Sequence, residues 1–257
     1  MAARKFLAEP DTKEKKMTLQ EAIELRRSRR KYLTTPIAPA TIQSLEGLAR
    51  ECSVAANARI ELVCNNDSAW NGISRSYGMF SGVSNYAGLI AKKGDLAAVE
   101  RLGYYGELLL LHAVALGLGT CWVGGSFDRK RCPFLLAEDE MIYCAIAVGN
   151  TAEQNSKREN LIQRMTHRHS KSAEDMIRAD APVPQWVAAG MQAVCKAPSA
   201  VNRQPVLFTL KKGKVTAHIE KETDTGTVFD LGIAKLHFEL GAGQGSWVFG
   251  NHGEFIR

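Results

Sequence analysis

The sequence predicts an α+β protein made of two diverged copies of one unit, packed with pseudo-twofold symmetry in one chain. Three short matches recur at an offset of 125, pairing Leu111-His112 with Leu236-His237, Trp122-Val123 with Trp247-Val248, and Gly125 with Gly250. Ala55 and Asn57 also match Ala200 and Asn202 at an offset of 145. The predicted helices and strands recur in the same order, which is typical of an internal duplication. Two such units are expected to pack as the subunits of a homodimer do.

The first half is predicted to span residues 18–160, after a loose leader at residues 1–17. Thr18 and Glu21 have the spacing of a capping box, which begins a helix at residues 19–29. Pro36 and Pro39 separate this helix from the next one. The other elements of this half are a helix at 39–51, strands at 59–65, 88–92 and 141–148, and a buried central helix at 95–118.

The second half is predicted to span residues 161–257. A polar, basic segment at 151–171 is the best candidate for the connection between the halves, because it lacks an apolar pattern. The elements that follow are a helix at 181–195, strands at 206–211 and 214–220, a helix at 231–240, and a glycine-rich stretch at 241–250.

Composition excludes several classes of protein. Of the 257 residues, 45% are hydrophobic and 23% are charged, which is typical of a globular chain. The six cysteines show no CxxC and no zinc-ligand spacing, so reduced thiols in a reducing compartment are expected. The first residues are charged and lack an apolar segment, so no secretory signal is predicted. The apolar run at 108–125 is too short to span a membrane, and a cytoplasmic protein is expected.

The charge pattern favours a small anionic ligand over a nucleic acid. The formal net charge is +6, a mild excess that suits a phosphate-bearing ligand or a basic surface. Basic residues cluster at 26–31 and at 157–168. Neither cluster carries the interleaved aromatic residues of a single-strand binder. Neither nucleic acid nor a membrane is therefore an expected partner.

The sharpest local feature is RRSRRKY at residues 26–32, at the predicted end of the first helix. Guanidinium groups and a serine hydroxyl in one short segment suit a phosphate monoester, because they combine charge, paired donors and an extra hydroxyl. The alternative is a solvated basic helix end, which also complements the negative end of the helix dipole.

Two further segments could contact a flat ligand. The stretch LGLGTCWVGG at 116–125 would let backbone N–H groups approach a ring closely, and its alternative is a helix C-cap followed by a turn. A dinucleotide-binding loop is excluded, because a helix and not a strand precedes these glycines. The segment APSAVNRQP at 197–205 offers Asn and Gln amides that suit a heterocycle; its alternative is a polar loop before a strand.

Other reactive side chains are weaker candidates. His112 and His237 lie on apolar helices and are predicted to be core or interface residues. His167 and His169 have no carboxylate or cysteine at ligand spacing, so no metal site is predicted. Cys121 is predicted to be a packed thiol, since no base can be assigned to it. No Ser-His-Asp order or GxSxG occurs, so no side chain is predicted to be catalytic.

Taken together, the three segments resemble motifs of the nitroreductase family of FMN-dependent flavoproteins. Residues 26–32 resemble its R-R-S-x-R-[KR]-[FY] opening, residues 117–125 its G-L-G-T-C-W-[IV]-G-G stretch, and residues 197–205 its A-P-S-x-x-N-x-Q-P segment. In the ordinary family the last of these lies between the other two, where this chain has only the degenerate SVAANA at 53–58. The chain therefore resembles the subfamily of fused, duplicated nitroreductases, with roughly residues 18–250 covered.

The resemblance implies one FMN per chain, because one of the two expected sites has kept its motifs and the other has lost them. It assigns the phosphate and ribityl chain to Arg26, Arg27, Ser28 and Arg30. It places Pro198, Ser199, Asn202 and Gln204 against the ring and the ribityl chain, and Val123, Gly124 and Gly125 along the ring near N5. Lys157 or Arg158 is expected to add a phosphate contact.

The resemblance also implies a ping-pong reaction in which NAD(P)H reduces the flavin and a small-molecule acceptor, a nitroaromatic or a quinone, reoxidises it. The chemistry would then belong to the flavin. A monomer that imitates the family dimer is expected. The loop at 66–86, with Trp70, Tyr77 and Phe80, is a candidate substrate lid or a simple surface insertion. Two alternatives stay open: an FMN-binding protein without turnover, and a flavin-free interaction scaffold.

Overall fold

The structure, a computed structural model, describes residues 17–70, 79–166 and 170–257. Its elements before residue 160 are, in chain order, α1 (Leu19–Leu25), α2 (Pro39–Ala56), β1 (Arg59–Val63), β2 (Tyr86–Lys92), α3 (Leu96–Ala115), β3 (Gly119–Val123), β4 (Glu140–Gly149) and the start of α4 (Lys157–Thr166). The elements that follow α4 are α5 (Ala173–Met176), β5 (Ile177–Ala179), α6 (Gln185–Val194), β6 (Leu207–Lys211), β7 (Lys214–His218), α7 (Thr225–Ala242), β8 (Ser246–Trp247) and β9 (Gly253–Ile256). The fold is α+β, as predicted.

The strands form two sheets with the same internal order. The first sheet runs β1-β2-β4-β3, and all of its pairs are antiparallel. The second runs β5-β6-β7-β9-β8 and is antiparallel except for the parallel pair β5-β6. Without β5, the second sheet repeats the order of the first, strand for strand.

The two long helices α3 and α7 pack against each other at the centre of the molecule. Each of them also packs against strands of its own sheet, and α1 touches both. Side chains all around α3 and α7 are buried, because each helix is covered by a sheet on one side and by helices on the others. The resulting apolar core is continuous and includes residues from both sheets.

Two glycines allow the backbones of α3 and α7 to approach closely. A Cβ on Gly103 would lie 2.3 Å from the carbonyl oxygen of Phe229, and a Cβ on Gly232 would lie 2.0 Å from that of Glu100. The two contacts mirror each other, since each glycine meets the residue three positions before the other glycine. Gly103 and Gly232 are 129 positions apart, so the offset of 125 that aligns His112 with His237 does not hold within the helices.

The interface between α3 and α7 also buries charged groups. Lys235, with no exposed surface, donates to Glu100 Oε1 at 2.6 Å and to the carbonyl oxygens of Val248 and Gly250. His237 bonds Glu107 through Nε2 at 2.9 Å and the Ala193 carbonyl through Nδ1 at 3.1 Å. Because a carbonyl oxygen only accepts, Nδ1 carries a hydrogen. The prediction that His237 is a core residue is confirmed.

The first helix is shorter than its sequence predicts. Thr18 and Glu21 form the predicted capping box, but α1 ends at Leu25 and not at residue 29. Arg26 leaves the helical region with ψ 129°. The chain then runs beside β3, where the N–H of Arg29 donates to the Thr120 carbonyl at 2.9 Å. Hydrogen bonds to a neighbouring strand thus replace the last helical turn.

The glycine-rich stretch after α3 contains a strand that its sequence does not predict. Gly117 caps the helix with φ +82°, as a left-handed C-cap requires. The chain then forms β3, paired with β4 from Gly119 opposite Gly149 to Val123 opposite Ala145. The reading of this stretch as a C-cap is therefore correct for Gly117, whereas a strand and not a turn follows it.

Three further segments differ from the expected elements. The segment at 151–171, predicted to be a linker, contains α4, so the boundary expected after residue 160 falls within a helix. Helix α7 begins at Thr225 and not at residue 231, because Asp224 caps it through the N–H of Gly226. The short strands β5, β8 and β9 were not predicted, since two to four residues carry too little periodicity. Nearly all of the leader at 1–17 lies outside the described residues.

The substitution Gly232→Ala tests the close contact of the central helices. Its Cβ would also lie 2.7 Å from the Tyr104 backbone nitrogen, so the helices must move apart. We expect the free energy of unfolding, measured by urea denaturation, to fall by about 2 to 3 kcal/mol. Gly47→Ala is the matched control: it lies within α2 and its nearest contact is the Arg50 side chain at 4.0 Å. This control should gain up to about 1 kcal/mol, and equal effects of the two substitutions would contradict the proposed constraint.

Candidate functional site

A polar cavity of about 340 Å³ lies at the end of α1. Most of its lining comes from the segment before residue 160, and Cys195 and Lys196 come from the end of α6. The lining residues are Ile23, Glu24, Arg26, Arg27, Ser28, Arg30, Asn155, Glu159, Cys195 and Lys196. Four predicted site residues, Arg26, Arg27, Ser28 and Arg30, are thus brought together in one wall.

The residues between those of the wall anchor it to the protein. Arg29 is directed away from the cavity into the protein, with 9% of its surface exposed. Its guanidinium donates to the Ala152 carbonyl at 2.8 Å and to Glu159 at 3.3 Å. The Tyr32 hydroxyl donates to the Arg29 carbonyl at 2.9 Å. Arg29 and Tyr32 therefore anchor the segment that displays the other arginines.

The three arginines of the cavity lack carboxylate partners within the part of the chain that the structure describes. Arg27 donates to the carbonyl oxygens of Glu24 and Arg26, and Arg30 donates to that of Ser28 at 3.2 Å. Arg26 Nε is buried and has no hydrogen-bond partner among the described residues. Burial lowers the pKa of Arg26, and the charge of Glu107 opposes this. The cavity is therefore positively charged and has unused donor capacity.

Lys196 and Glu24 form an ion pair between the two sides of the cavity. Glu24 lies on α1, whereas Lys196 follows α6. Both side chains are partly exposed, so the pair is screened by water and weak. It leaves the Lys196 ammonium available to a stronger anion.

Glu159 holds the arginine segment in place through hydrogen bonds to its backbone. One of its oxygens accepts from the backbone N–H of Arg30 at 2.6 Å and of Lys31 at 3.3 Å, and the other accepts from the N–H of Ser156 at 2.7 Å. Burial raises the pKa of the Glu159 carboxyl, but these hydrogen bonds outweigh burial and bring the pKa down to about 2. Glu159 therefore stays ionised and holds the backbone of the wall in place.

The sequence contains a signal for Glu159 that was missed. Ser156 and Glu159 have capping-box spacing, and the Glu159 N–H donates back to the Ser156 hydroxyl at 3.3 Å. The basic neighbours Lys157 and Arg158 make this pattern inconspicuous in the sequence. Those two side chains are exposed on α4 and do not line the cavity. Asn155, Cys195 and Lys196 are further lining residues that sequence reasoning did not select.

The predicted ring contacts Val123, Gly124 and Gly125 lie at the end of β3, outside the lining of the cavity. Val123 is buried, whereas the two glycines are exposed, and a Cβ on either would meet nothing within 4 Å. Strand β3 reaches the arginine wall through the bridge between Ser28 and Thr120. Strand β3, which is itself largely buried, therefore connects the arginine wall to the exposed backbone of Gly124 and Gly125.

The corresponding stretch near the C-terminus is bonded to the central helices. The Gly250 N–H donates to Glu100 Oε2 at 2.7 Å, and Lys235 donates to the carbonyls of Val248 and Gly250. The ring of Phe249 packs against Tyr104 at 5.4 Å between centroids. Side chains of α3 and α7 thus hold residues 248–250 in place.

The predicted contacts at 197–205 lie next to the cavity and not in its lining. Pro198 and Ser199 border a separate small cavity of about 10 Å³. The Gln204 amide accepts from the Lys171 N–H at 2.7 Å and donates to the Cys195 carbonyl at 3.4 Å. The Asn202 amide donates to the Ser170 hydroxyl at 3.1 Å. This segment is joined to the cavity through Lys196, which directly precedes it.

Two other predicted candidates are part of the packed structure. Burial raises the pKa of the Cys121 thiol, and the charges of Arg30 and Arg26 only partly oppose this, which agrees with a packed thiol. Trp70, from the possible lid, is buried and stacks on Phe127 with centroids 5.6 Å apart. Its neighbour Phe80 packs edge-on against it, while Tyr77 lies outside the described residues. The role of the loop at 66–86 as a substrate lid remains a prediction.

The described ranges contain neither a candidate metal site nor a candidate membrane span. No group of three or more His, Cys, Asp or Glu side chains in them could hold a metal ion; His167 and His169 lie outside these ranges. None of the helices in the same ranges has the length and apolar character that a membrane crossing needs.

Comparison with known proteins identifies the family. Residues 18–242 match the family described as "Putative TM nitroreductase", and the chain belongs to this family, which confirms the resemblance seen in its motifs. The crystal structure of a "putative nitroreductase" from Thermotoga maritima is similar with a TM-score of 0.61 and 21% identity, covering 96% of this chain and 97% of that chain. This similarity supports the nitroreductase-like α+β fold.

Other solved structures match about half of the chain. A nitroreductase with bound FMN from Bacteroides fragilis has a TM-score of 0.40 and 16% identity, covering 54% of this chain and 90% of that chain. An FMN-dependent nitroreductase from Clostridium difficile has a TM-score of 0.40 and 17% identity, covering 57% of this chain and 96% of that chain. A comparison with curated proteins finds no match.

The substitution Glu159→Gln tests the anchor of the arginine wall. A carboxyl with a lowered pKa stabilises the fold above its ordinary pKa of 4.5 and loses this contribution as the pH falls toward 2. We expect the stability difference between the natural protein and the variant, measured by urea unfolding, to shrink by about 2 kcal/mol between pH 6 and pH 3. Glu153→Gln, on an exposed residue of the same segment, should show a constant difference. A constant difference for Glu159→Gln as well would rule out the anchor.

Proposed function

We propose that this protein is an FMN-dependent oxidoreductase of the nitroreductase type, which transfers electrons from NAD(P)H to a nitroaromatic or quinone acceptor in a ping-pong sequence. The observation that carries the proposal is the cavity with three arginines that have no carboxylate partner among the described residues. Arg26 and Arg30 are half-buried; half-buried cations without counter-ions are costly, and an anionic ligand would remove this cost. Membership of the nitroreductase family supports FMN as that ligand.

The residues present fit the chemistry of FMN. The buried Arg26 Nε lacks a partner in the described chain, and a phosphate oxygen would supply one. A cavity of about 340 Å³ is in the size range of small-molecule sites. The open backbone at Gly124 and Gly125 leaves room for a flat ring beside β3.

In this proposal the arginine wall binds the phosphate and ribityl chain through Arg26, Arg27, Ser28 and Arg30. Lys196 adds a cation from the other side of the cavity by exchanging Glu24 for the phosphate. Such charge-assisted hydrogen bonds are about twice as strong as neutral ones. Lys157 or Arg158 on α4 would add long-range attraction from the exposed face of that helix.

The ring would lie along Val123, Gly124 and Gly125, with the loop at 197–205 approaching from the other side. Pro198 and Ser199 would supply surface, and Asn202 and Gln204 would supply amide groups. The Gln204 amide already makes two hydrogen bonds, which leaves it one hydrogen and one oxygen lone pair for a ligand.

Bound FMN would supply the hydride and electron transfer that amino-acid side chains cannot perform. The chain itself binds and orients the cofactor, and its arginines and backbone N–H groups stabilise negative charge there. No side chain in the described cavity is placed as an obligatory acid or base. The acceptor and the reductant would therefore be selected by shape and charge at the open side of β3.

The proposal includes two diverged copies of one unit with a single site. The repeated strand order of the two sheets and the mirrored contacts of Gly103 and Gly232 support the duplication. The contacts of Lys235 and Tyr104 with the second glycine stretch support the loss of a second site. One FMN per chain and a monomer follow as expectations.

Flavin binding is the first test. Protein purified with added FMN and then desalted should show flavin absorbance at about one FMN per chain.

Arg26→Ala and Arg30→Ala should each weaken FMN binding by about 10- to 100-fold, since a charge-assisted hydrogen bond contributes about 1.5 to 3 kcal/mol. Quenching of flavin fluorescence measures this, and Arg50→Ala, an exposed arginine on α2, is the control. A folded protein that binds no FMN would favour the scaffold alternative, and two FMN per chain would disprove a single site.

Reduction of the bound flavin is the second test. Stopped-flow absorbance should show bleaching of the flavin by NADH or NADPH under anaerobic conditions and recovery on addition of a quinone or nitroaromatic. Steady-state double-reciprocal plots should be parallel, as a ping-pong sequence requires. Flavin that binds but is not reduced by either nucleotide would identify an FMN-binding protein without turnover.

A further inference from the structure

The loop at 197–205 has a strained backbone. Val201, Asn202 and Gln204 have φ values of +48°, +57° and +45°, in the left-handed region that favours glycine. Each such residue costs about 1 kcal/mol or more, and a β-branched valine is especially unfavourable there. Conformations of this kind persist only where neighbouring contacts hold them.

Asp230 of α7 provides one of these contacts. Its oxygens Oδ1 and Oδ2 lie 3.2 and 3.3 Å from the backbone nitrogen of Ala200, which donates to the carboxylate. Only 4% of the Asp230 surface is exposed, and Pro198 and Ser199 line the small cavity beside it. The loop thus shields Asp230 from water, and Asp230 holds the loop.

We propose that Asp230 is a positioning residue for the loop at 197–205, and that loss of its proton loosens the loop. The consequence for a ligand rests on the proposed function, in which this loop contacts FMN. The coupling between Asp230 and the loop rests on their contact alone.

The direction of the effect follows from burial. Burial raises the pKa of Asp230 to about 7, and the Ala200 N–H and the charge of Arg203 oppose this. When the loop opens, water reaches the carboxyl and its pKa returns toward the ordinary value of about 4. The closed loop therefore binds the proton more tightly than the open loop, so opening becomes more favourable as the pH rises from about 4 to about 7.

The surroundings of Asp230 contain few other charges. Arg203, on the loop, lowers its pKa, and Asp224, at the start of α7, raises it; these two side chains also form an ion pair with each other at 3.3 Å. Met176 from α5 and Val194 from α6, which face Asp230 across the small cavity, are apolar. Within the described residues, Asp230 is thus the group around this cavity that changes charge near neutral pH.

Helix α3 makes a comparable contact with a loop, but through an arginine and not a carboxyl group. Asp230 lies two positions before Gly232, and Arg101 lies two positions before Gly103. Arg101 Nε donates to the Ala56 carbonyl at 2.6 Å, at the start of the loop that follows α2. An arginine side chain keeps its charge between pH 5 and pH 8. Residues 56–60 therefore serve as an internal control.

Amide hydrogen exchange of the ligand-free full chain between pH 5 and pH 8 tests the coupling. After division by the intrinsic exchange rate, the opening constant at residues 198–204 should rise by about 50- to 100-fold, while residues 56–60 stay constant. Asp230→Asn should abolish the rise, and Asp224→Asn, on the ion-pair partner of Arg203, should preserve it. A flat profile at 198–204 in the natural protein would overturn the proposal even if the Asp230 variant does not fold. An undiminished rise in a folded Asp230→Asn protein would also overturn it.

FMN titration over the same pH range tests the consequence for the ligand. The affinity of the natural protein should fall relative to that of Asp230→Asn as the pH rises from 5 to 8. Equal pH profiles of the two proteins would refute a role of Asp230 in ligand positioning. Absence of FMN binding at every pH would overturn the proposed function, while the exchange profile would still decide the coupling between Asp230 and its loop.

Discussion

The close approach of α3 and α7 is the constraint on which the rest of the structure depends. Gly103 and Gly232 leave no room for a side chain where the two backbones meet. This approach brings Glu107 within reach of His237, and it brings Glu100 within reach of Lys235. It also sets the distance between α1, which packs on both helices, and α6, which packs on α7. The two sides of the arginine cavity are therefore positioned by a contact that contributes no residue to it.

Charged side chains at the centre of the molecule and those at the cavity differ in their hydrogen-bond partners. At the centre, the ammonium of Lys235 has three acceptors, and Glu107 accepts from Trp122 and is hydrogen-bonded to Nε2 of His237. Such full pairing is required, because an unpaired buried charge costs several kcal/mol. At the cavity, by contrast, Arg27 and Arg30 donate to nearby carbonyl oxygens, and among the described residues the three arginines of the cavity have no carboxylate partner. This contrast supports the proposal that the cavity binds an anionic ligand.

The sequence predicted those features that local patterns encode. The capping box at Thr18, the buried helix around Leu108 and the arginine segment all follow from short-range spacing, and the family resemblance followed from three such segments. It did not reveal β3, because the glycines around Trp122 mask a strand that exists through its pairing with β4. The capping-box spacing of Ser156 and Glu159 encodes a local contact only; that Glu159 and Lys196 reach the cavity depends on the tertiary fold. Pairing across the sheet and contacts between distant segments are properties that periodicity does not carry.

The arrangement of the cavity also has a consequence for dilute solution. Arg26 and Lys196 face the same cavity from segments 170 positions apart, yet one polypeptide connects them. In a site shared between separate subunits, dilution below the dissociation constant would pull the two walls apart. Here the covalent connection, with β5 paired to β6 along the way, keeps the walls at a high effective concentration at any protein concentration.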